Sequence, residues 1–580
     1  MFRLFDICLV VVCALCIFSS GISPSAAVTN LTVNGGVETP ALAVSSCPYV
    51  TGKLAVGWND NSCWMTPSPH VRYALDTRSR HGGAAAQSVT LLSGAGAQLI
   101  QTLPRPTTTR QLMQVRLWLR SSSHQTVTVQ IRQTDSPYAV YGQVEVTATA
   151  AWRAFTFPAL ASKGSTSLVL FSNDRGTFSF DDVQVVGAGT APLLPKPPSQ
   201  PVPSRYFGTH FNYLDTPWPA SAPHFGSIRI WDGDRSSDGS GVGAQWADVS
   251  PAEGVFHWSG LDQRVASATA HGADVIYTLG GRTPRWASAR PDAPSPYGPG
   301  QCALPKSDSV WRAWIQALAS RYKGKIRYWE IWNEPNYAEF FCGDLRRMVA
   351  LTAIARQTIR SIDPQARIVS PSYNGVEGLS GLTQFLDAGG GSLVDVIGYH
   401  FYVDRPEDMR RSATLVRAAM ASHGLTRLPI WNTEQGWYDG VLPVDLMDSG
   451  TASAYVARSM LLNWLWGLSR FHYYTWDNNN RIVFTAADHK TLVAAGKAYA
   501  FVMRTMSGAT MTAASETGSL VHVTLARGRQ VTHVLWSTAG SMTRHVPQDW
   551  RATTVTDVQG SSKALTGTQV VVGPSPVFVH

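Results

Sequence analysis

The chain changes its hydrophobic rhythm three times. From about Val28 to Gly187, apolar and polar residues alternate over short stretches, as in Gln114-Val115-Arg116-Leu117-Trp118-Leu119-Arg120 and Val127-Thr128-Val129-Gln130-Ile131-Arg132. Side chains of a strand point to opposite faces in turn, so a period of two predicts half-buried strands. Many such strands, closing on Phe178-Ser179-Phe180-Asp181-Asp182-Val183, predict an antiparallel β-sandwich over residues 28–187. Residues 188–205 contain the proline-dense run from Ala191 to Pro203, which predicts an extended, semi-rigid linker.

Over residues 206–507 short apolar runs alternate with helical periodicity, the pattern of repeated βα units. Strands are expected to end near His210, Trp231, Leu279, Trp332, Pro371, His400, Thr433 and Trp476, with amphipathic helices such as Val310–Tyr322, Leu345–Ile362, Asp408–Ser422 and Ala452–Leu468 between them. Eight parallel strands predict an α/β fold, a (β/α)8 TIM barrel. Asn212 to Phe225 is short and proline-rich for a crossover helix, so the first unit is the weakest. Residues 508–580 return to alternation, as in Leu520-Val521-His522-Val523-Thr524-Leu525, and predict a small C-terminal β-domain.

Composition narrows the function. Charged residues are 15% of 580 while aromatics reach 10%, including 20 Trp, so the chain is globular and aromatic-rich. The net charge of +9 is spread without Lys/Arg runs, which argues against a nucleic-acid surface. At the N-terminus, Met1-Phe2-Arg3, an apolar run from Ile7 to Phe18 and Ser25-Ala26-Ala27 have the layout of a signal peptide over residues 1–27. The run is short for a bilayer span of ~20 residues. The expected protein is therefore secreted (extracellular or periplasmic), without a membrane association after cleavage, and monomeric; an uncleaved N-terminal anchor is the alternative. Cys8, Cys13 and Cys16 would leave with the signal. Cys47 with Cys63, and Cys302 with Cys342, then make two local disulfides, and no CxxC or paired His spacing suggests a metal.

Active sites of TIM barrels collect at the C-terminal ends of the strands. Two carboxylates stand there: Glu334 in Trp329-Glu330-Ile331-Trp332-Asn333-Glu334-Pro335-Asn336, and Glu434 in Ile430-Trp431-Asn432-Thr433-Glu434-Gln435. Glycosidic cleavage needs a proton donor for the leaving oxygen and a carboxylate that attacks or stabilises the anomeric carbon, and a pair ~5–5.5 Å apart retains configuration. No P-loop, GxGxxG, GxSxG or zinc signature competes, and no cofactor is called for.

These segments resemble the clan A retaining glycoside hydrolases, whose strand-four Asn-Glu-Pro holds the acid/base and whose strand-seven Glu is the nucleophile. With Gly280-Gly281-Arg282-Thr283-Pro284-Arg285-Trp286-Ala287-Ser288, they look most like family 39, which includes β-xylosidases, iduronidases and bacterial exopolysaccharide hydrolases. The resemblance covers roughly Tyr206 to Met506. It implies Glu334 as acid/base, Glu434 as nucleophile, and Asn333 on the sugar 2-hydroxyl. It also implies that Arg229 lies beneath Glu434 and lowers its pKa, that Tyr402 positions Glu434, and that His400 touches sugar or modulates Glu334. Trp476 is expected as the stacking floor of the cleavage subsite, with Trp286 and Trp437 as weaker candidates.

Asn34-Gly35-Gly36-Val37-Glu38, Trp152-Arg153-Ala154-Phe155 and Asp181-Asp182-Val183 look like the jelly-roll carbohydrate-binding modules of the xylan and glucan binding families. The sandwich would hold the enzyme on polymer, or else only prop up the next domain. The expected partner is a plant-wall or microbial extracellular polysaccharide, or an oligosaccharide. Two other readings stand beside hydrolysis: a carbohydrate-binding scaffold whose barrel has lost activity, and a transglycosylase.

Overall fold

The computed structural model describes residues 30–38, 41–44, 46–219, 225–437, 449–478 and 482–580. The expected signal peptide lies outside these residues. Between Asn30 and Thr190 a seven-stranded and a five-stranded sheet pack face to face. Strand Gln111–Ser121 shows the cause: Val115, Leu117 and Leu119 turn into the core shared by both sheets, and Arg116, Trp118 and Arg120 turn out.

The middle of the chain is the barrel. Its strands, in chain order, are Phe207–Thr209, Ser227–Ile230, Asp274–Gly280, Tyr328–Trp332, a broken fifth (Arg367–Val369 and Tyr373–Asn374), Ile397–His400, Ile430–Gln435 and Leu468–Tyr473. All barrel pairings are parallel. The fifth strand closes the ring: its first half pairs with strand four, its second half with strand six, and Val369 bridges to Val396. Pro371 sits at the break, where it can donate no ladder bond. Helices Ser259–Ala270, Asp308–Arg321, Arg347–Ile362, Gly378–Asp387, Met409–Ser422 and Ser449–Leu465 lie between strands two and eight, and Ala494–Met506 follows the eighth. No helix is described between strands one and two.

The barrel interior is filled in layers, as a barrel of this size requires. Ile276, Tyr328, Val369, Val396 and Trp431 form an apolar layer, closed by the Arg470 guanidinium 4.4 Å from the Tyr328 ring and 4.2 Å from the Trp431 ring. Above it the layer becomes polar, with Thr278, Glu330, Ser372 and Thr433 joined by hydrogen bonds.

From Thr510 to Val579 the chain forms a six-stranded sheet and a two-stranded ribbon. Both expected disulfides, Cys47–Cys63 and Cys302–Cys342, are present. Among the described residues, no helix is long and apolar enough to cross a membrane.

Candidate active site

Strand four ends in Trp332-Asn333-Glu334, and the backbone there leaves strand geometry: Glu334 has φ of +41°, in the left-handed region disfavoured for a side-chain-bearing residue. Such a conformation costs on the order of 1–3 kcal/mol and persists where surrounding bonds over-determine it. Here the Glu334 N–H donates to the Ser372 carbonyl (2.8 Å), and the Tyr337 N–H donates to the Glu334 carbonyl (3.0 Å).

Glu334, His400 and Glu434 each offer one polar atom, and these three atoms lie within 4.8 Å of one another. His400 Nδ1 is 2.6 Å from Glu334 Oε1. Tyr402 donates its hydroxyl hydrogen to Glu434 Oε1 (2.7 Å), and Arg229 Nη1 donates to Glu434 Oε2 (2.7 Å). The side chains of Arg229, Glu330 and His400 are fully buried, whereas those of Glu334 and Glu434 keep 7% and 8% exposure. The two carboxylates are thus the ionisable members of the group that open on the barrel mouth.

Arg229 organises this arrangement. Its fork also donates from Nε to Glu330 Oε2 (2.8 Å) and from Nη2 to Asn333 Oδ1 (2.8 Å). With its carbonyl oxygen taken by Arg229, the Asn333 amide is oriented so that its N–H groups remain as donors. Burial works against the charged guanidinium, but Glu330 and Glu434 outweigh it and hold its pKa above the usual value. Burial likewise opposes ionisation of Glu330, where Arg229 wins and the pKa lies below the usual range. Glu330 also accepts from Ser372 and from Thr278 (2.5 Å).

Glu434 behaves differently from expectation. Its pKa is raised, because burial outweighs the lowering effects of His400 and Arg229. The nearby charges of Glu334 and Asp232 add to the rise, and Arg229 is shared with the fully enclosed Glu330. Burial also pushes His400 down to about 4, so its imidazole is neutral through the ordinary pH range.

The three tryptophans are placed otherwise than the sequence suggested. Trp476 is 1% exposed and packs among Phe211, Phe225 and Phe484, inside the shell between barrel and helices. Strand eight ends at Tyr473, three residues before Trp476. Trp437, 2% exposed, donates its indole N–H to the Val403 carbonyl (2.8 Å) and packs on Tyr455 and Tyr473. Trp286 donates to the Ser250 carbonyl (2.7 Å) and faces Lys306. Trp476 and Trp437 are almost wholly buried and present no free stacking face, whereas Trp286 is partly exposed. The residue at the strand-eight end that the sequence reading missed is Tyr474, whose hydroxyl donates to Asp232 and accepts from Asn212 Nδ2 (3.0 Å). Glu330 was missed too, although a lone carboxylate within Tyr328-Trp329-Glu330-Ile331-Trp332 signals a buried ion pair.

Comparison with known proteins bears on this geometry. Residues 304–497 match the family described as glycosyl hydrolase catalytic core. An endo-1,4-beta-xylanase A of Fusarium oxysporum f. sp. lycopersici is 29% identical over 137 residues, and the match spans 22% of this chain and 39% of the relative. Similar solved structures include a family 39 glycoside hydrolase from Bacteroides cellulosilyticus (TM-score 0.49, 17% identity, covering 79% of this chain and 94% of that one). Another is a family 39 β-xylosidase from Caulobacter crescentus (TM-score 0.49, 17% identity, 67% and 98%). Glu334, His400, Tyr402 and Glu434 all fall within the matched span, so this part of the barrel, with the paired carboxylates, is similar to a glycosyl hydrolase catalytic core.

Proposed function

We propose that the protein is a retaining glycoside hydrolase, cleaving O-glycosidic bonds of a plant-wall or microbial extracellular polysaccharide by double displacement. The observation that carries this reading is the approach of Glu334 and Glu434 within 4.8 Å, the close carboxylate spacing that suits direct attack by one of them. Glu434 attacks the anomeric carbon while Glu334 gives its proton to the departing glycosidic oxygen. Glu334, now ionised, takes a proton from water, the water oxygen attacks the same carbon, and Glu434 leaves as a carboxylate. Arg229 and Tyr402 hold Glu434 in place through its two oxygens, and His400 Nδ1 shares a hydrogen bond with Glu334. Asn333 offers its amide N–H groups to the sugar 2-hydroxyl. The xylanase relative makes soluble xylan the first polymer to try.

The test is reducing-end release from xylans, glucans, arabinans, galactans and bacterial exopolysaccharides, with the first-formed anomer read by proton NMR. Release of the retained anomer supports the assignment; the inverted anomer would overturn the double displacement. Glu334→Ala should lose about 10²–10⁴-fold on polymer, where the leaving group is poor, and far less on an activated aryl glycoside, with azide restoring turnover. Loss of equal size on both substrates would remove Glu334 from the proton-transfer role.

The pH profile follows from Glu434. It must be ionised to attack, and its pKa is raised from the usual 4.5, so the acid limb of kcat/KM should fall off above pH 4.5. An acid limb below that value would contradict the assignment. We also propose that the protein works outside the reducing cytosol, which its two disulfides support.

A further inference from the structure

Asp232 stands two residues beyond the end of strand two (Ser227–Ile230), the strand that supplies Arg229. The double displacement gives this third carboxylate no task. Its Oδ2 accepts from the Asn212 amide nitrogen (3.2 Å) and from the Tyr474 hydroxyl. Those two partners follow strands one and eight, so three neighbouring strand ends meet at one oxygen. Asn212 is itself held from three directions. Its backbone N–H donates to Asp477 Oδ1 (2.8 Å), its Nδ2 also donates to the Tyr474 oxygen (3.0 Å), and its Oδ1 accepts from the Thr475 hydroxyl. Asp232 is therefore fixed in one orientation before any ligand arrives.

The other oxygen, Oδ1, is left over. Among the described residues it accepts no hydrogen bond, and Asp232 forms no ion pair. The residue is partly exposed, whereas Glu334 and Glu434 are nearly closed off. It lies on the same rim as the reacting pair, and its charge reaches Arg229, His400 and Glu434 on one side and Asp234, Arg264 and Tyr297 on the other.

A carboxylate oxygen fixed in place by two donors is a ready acceptor for an O–H group, and a charged acceptor binds one more tightly than a neutral acceptor does. A sugar hydroxyl supplies that group. A sugar carboxylate would instead bring a further negative charge against Asp232 and Glu434, while Arg229 is already shared between Glu330 and Glu434. We propose that Asp232 is a substrate-binding residue, accepting a hydroxyl hydrogen of the sugar held at Glu434 and restricting that subsite to sugars without a carboxylate. The proposal rests on the glycoside reading of the site, and its test separates the two.

Calorimetry on the full chain carrying Glu434→Gln, against xylotriose, cellotriose, arabinotriose, galactotriose and trigalacturonate, reads binding apart from the chemistry. A neutral trisaccharide should bind and trigalacturonate should not. Adding Asp232→Asn should weaken the neutral ligand about 10–100-fold, because the amide keeps its oxygen toward Tyr474 and Asn212 and turns a donor toward the sugar. With Glu434 intact, Asp232→Asn should lower kcat/KM on the cleaved polymer by a similar factor. It should also move the acid limb to lower pH, since the charge of Asp232 is one of those that raise the pKa of Glu434; a loss caused by folding alone would leave the limb in place. Trisaccharide binding weakened by Asp232→Asn, without reducing-end release by the wild type, would support the subsite and sink the hydrolase reading. Binding indifferent to Asp232→Asn, no trisaccharide binding at all, an unmoved acid limb, or preference for trigalacturonate would overturn the subsite, and reducing-end release by the wild type would then leave hydrolysis standing.

Discussion

Glu434→Gln is expected to abolish turnover, by roughly 10⁴-fold or more in kcat, while leaving the folded protein intact. The amide is isosteric, so Tyr402 can still donate to the side-chain oxygen, but no oxyanion remains to attack the anomeric carbon. The amide nitrogen then faces Arg229 Nη1, where a donor meets a donor and the charge pairing is lost. A thermal midpoint near the wild type together with lost reducing-end release is the expected pair of results. Near-normal release would mean that another group does the chemistry, and the scaffold and hydrolase readings would have to be reopened around it.

Arg229→Met should produce the largest loss of stability among single changes at the site. It leaves Glu330 fully buried and Glu434 nearly so, both without their cation, and breaking a buried pair from one side costs about 3–5 kcal/mol. The sign with pH is definite. In the wild type, Glu330 has a folded pKa below its unfolded one, so its contribution is present above the unfolded value near 4.5 and is lost as pH falls through the folded one. Without Arg229 the largest effect opposing burial is gone and the folded pKa rises, so protonation favours the folded state and the deficit should narrow on acidification below about pH 4.5. Denaturant unfolding of both proteins at neutral pH and near pH 4 measures this. A deficit independent of pH would show that Arg229 acts by packing, and a deficit under ~1 kcal/mol would show that the carboxylates find other partners.

How much of this was legible in the chain can be judged residue by residue. The alternation in Val127–Arg132 and the βα rhythm beyond Tyr206 are local properties, set by which face of each element must leave water, and they were sufficient for the sandwich, the barrel and the closing β-domain. Glu334 and Glu434 stood out as a pair at the ends of two strands of one barrel, in segments that resemble the clan A retaining glycoside hydrolases. The cysteine pairs were readable because each closes a short separation within one region.

What the sequence could not determine is set by distances between residues far apart in the chain. Whether Trp476 floors a subsite or fills the core depends on what packs around it, and it is enclosed by Phe211, Phe225 and Phe484, which come from distant parts of the chain. The pKa of Glu434 depends on how one guanidinium divides itself between carboxylates contributed by strands four and seven, a balance of burial against charge that exists only once the barrel has closed. The meeting of Asp232 with Asn212 and Tyr474 likewise joins the ends of strands two, one and eight, and leaves no period in the sequence. Pattern along the chain thus determined the elements and the chemistry they could carry; the closed barrel decided which side chains face the mouth, which share a charge, and which are only core.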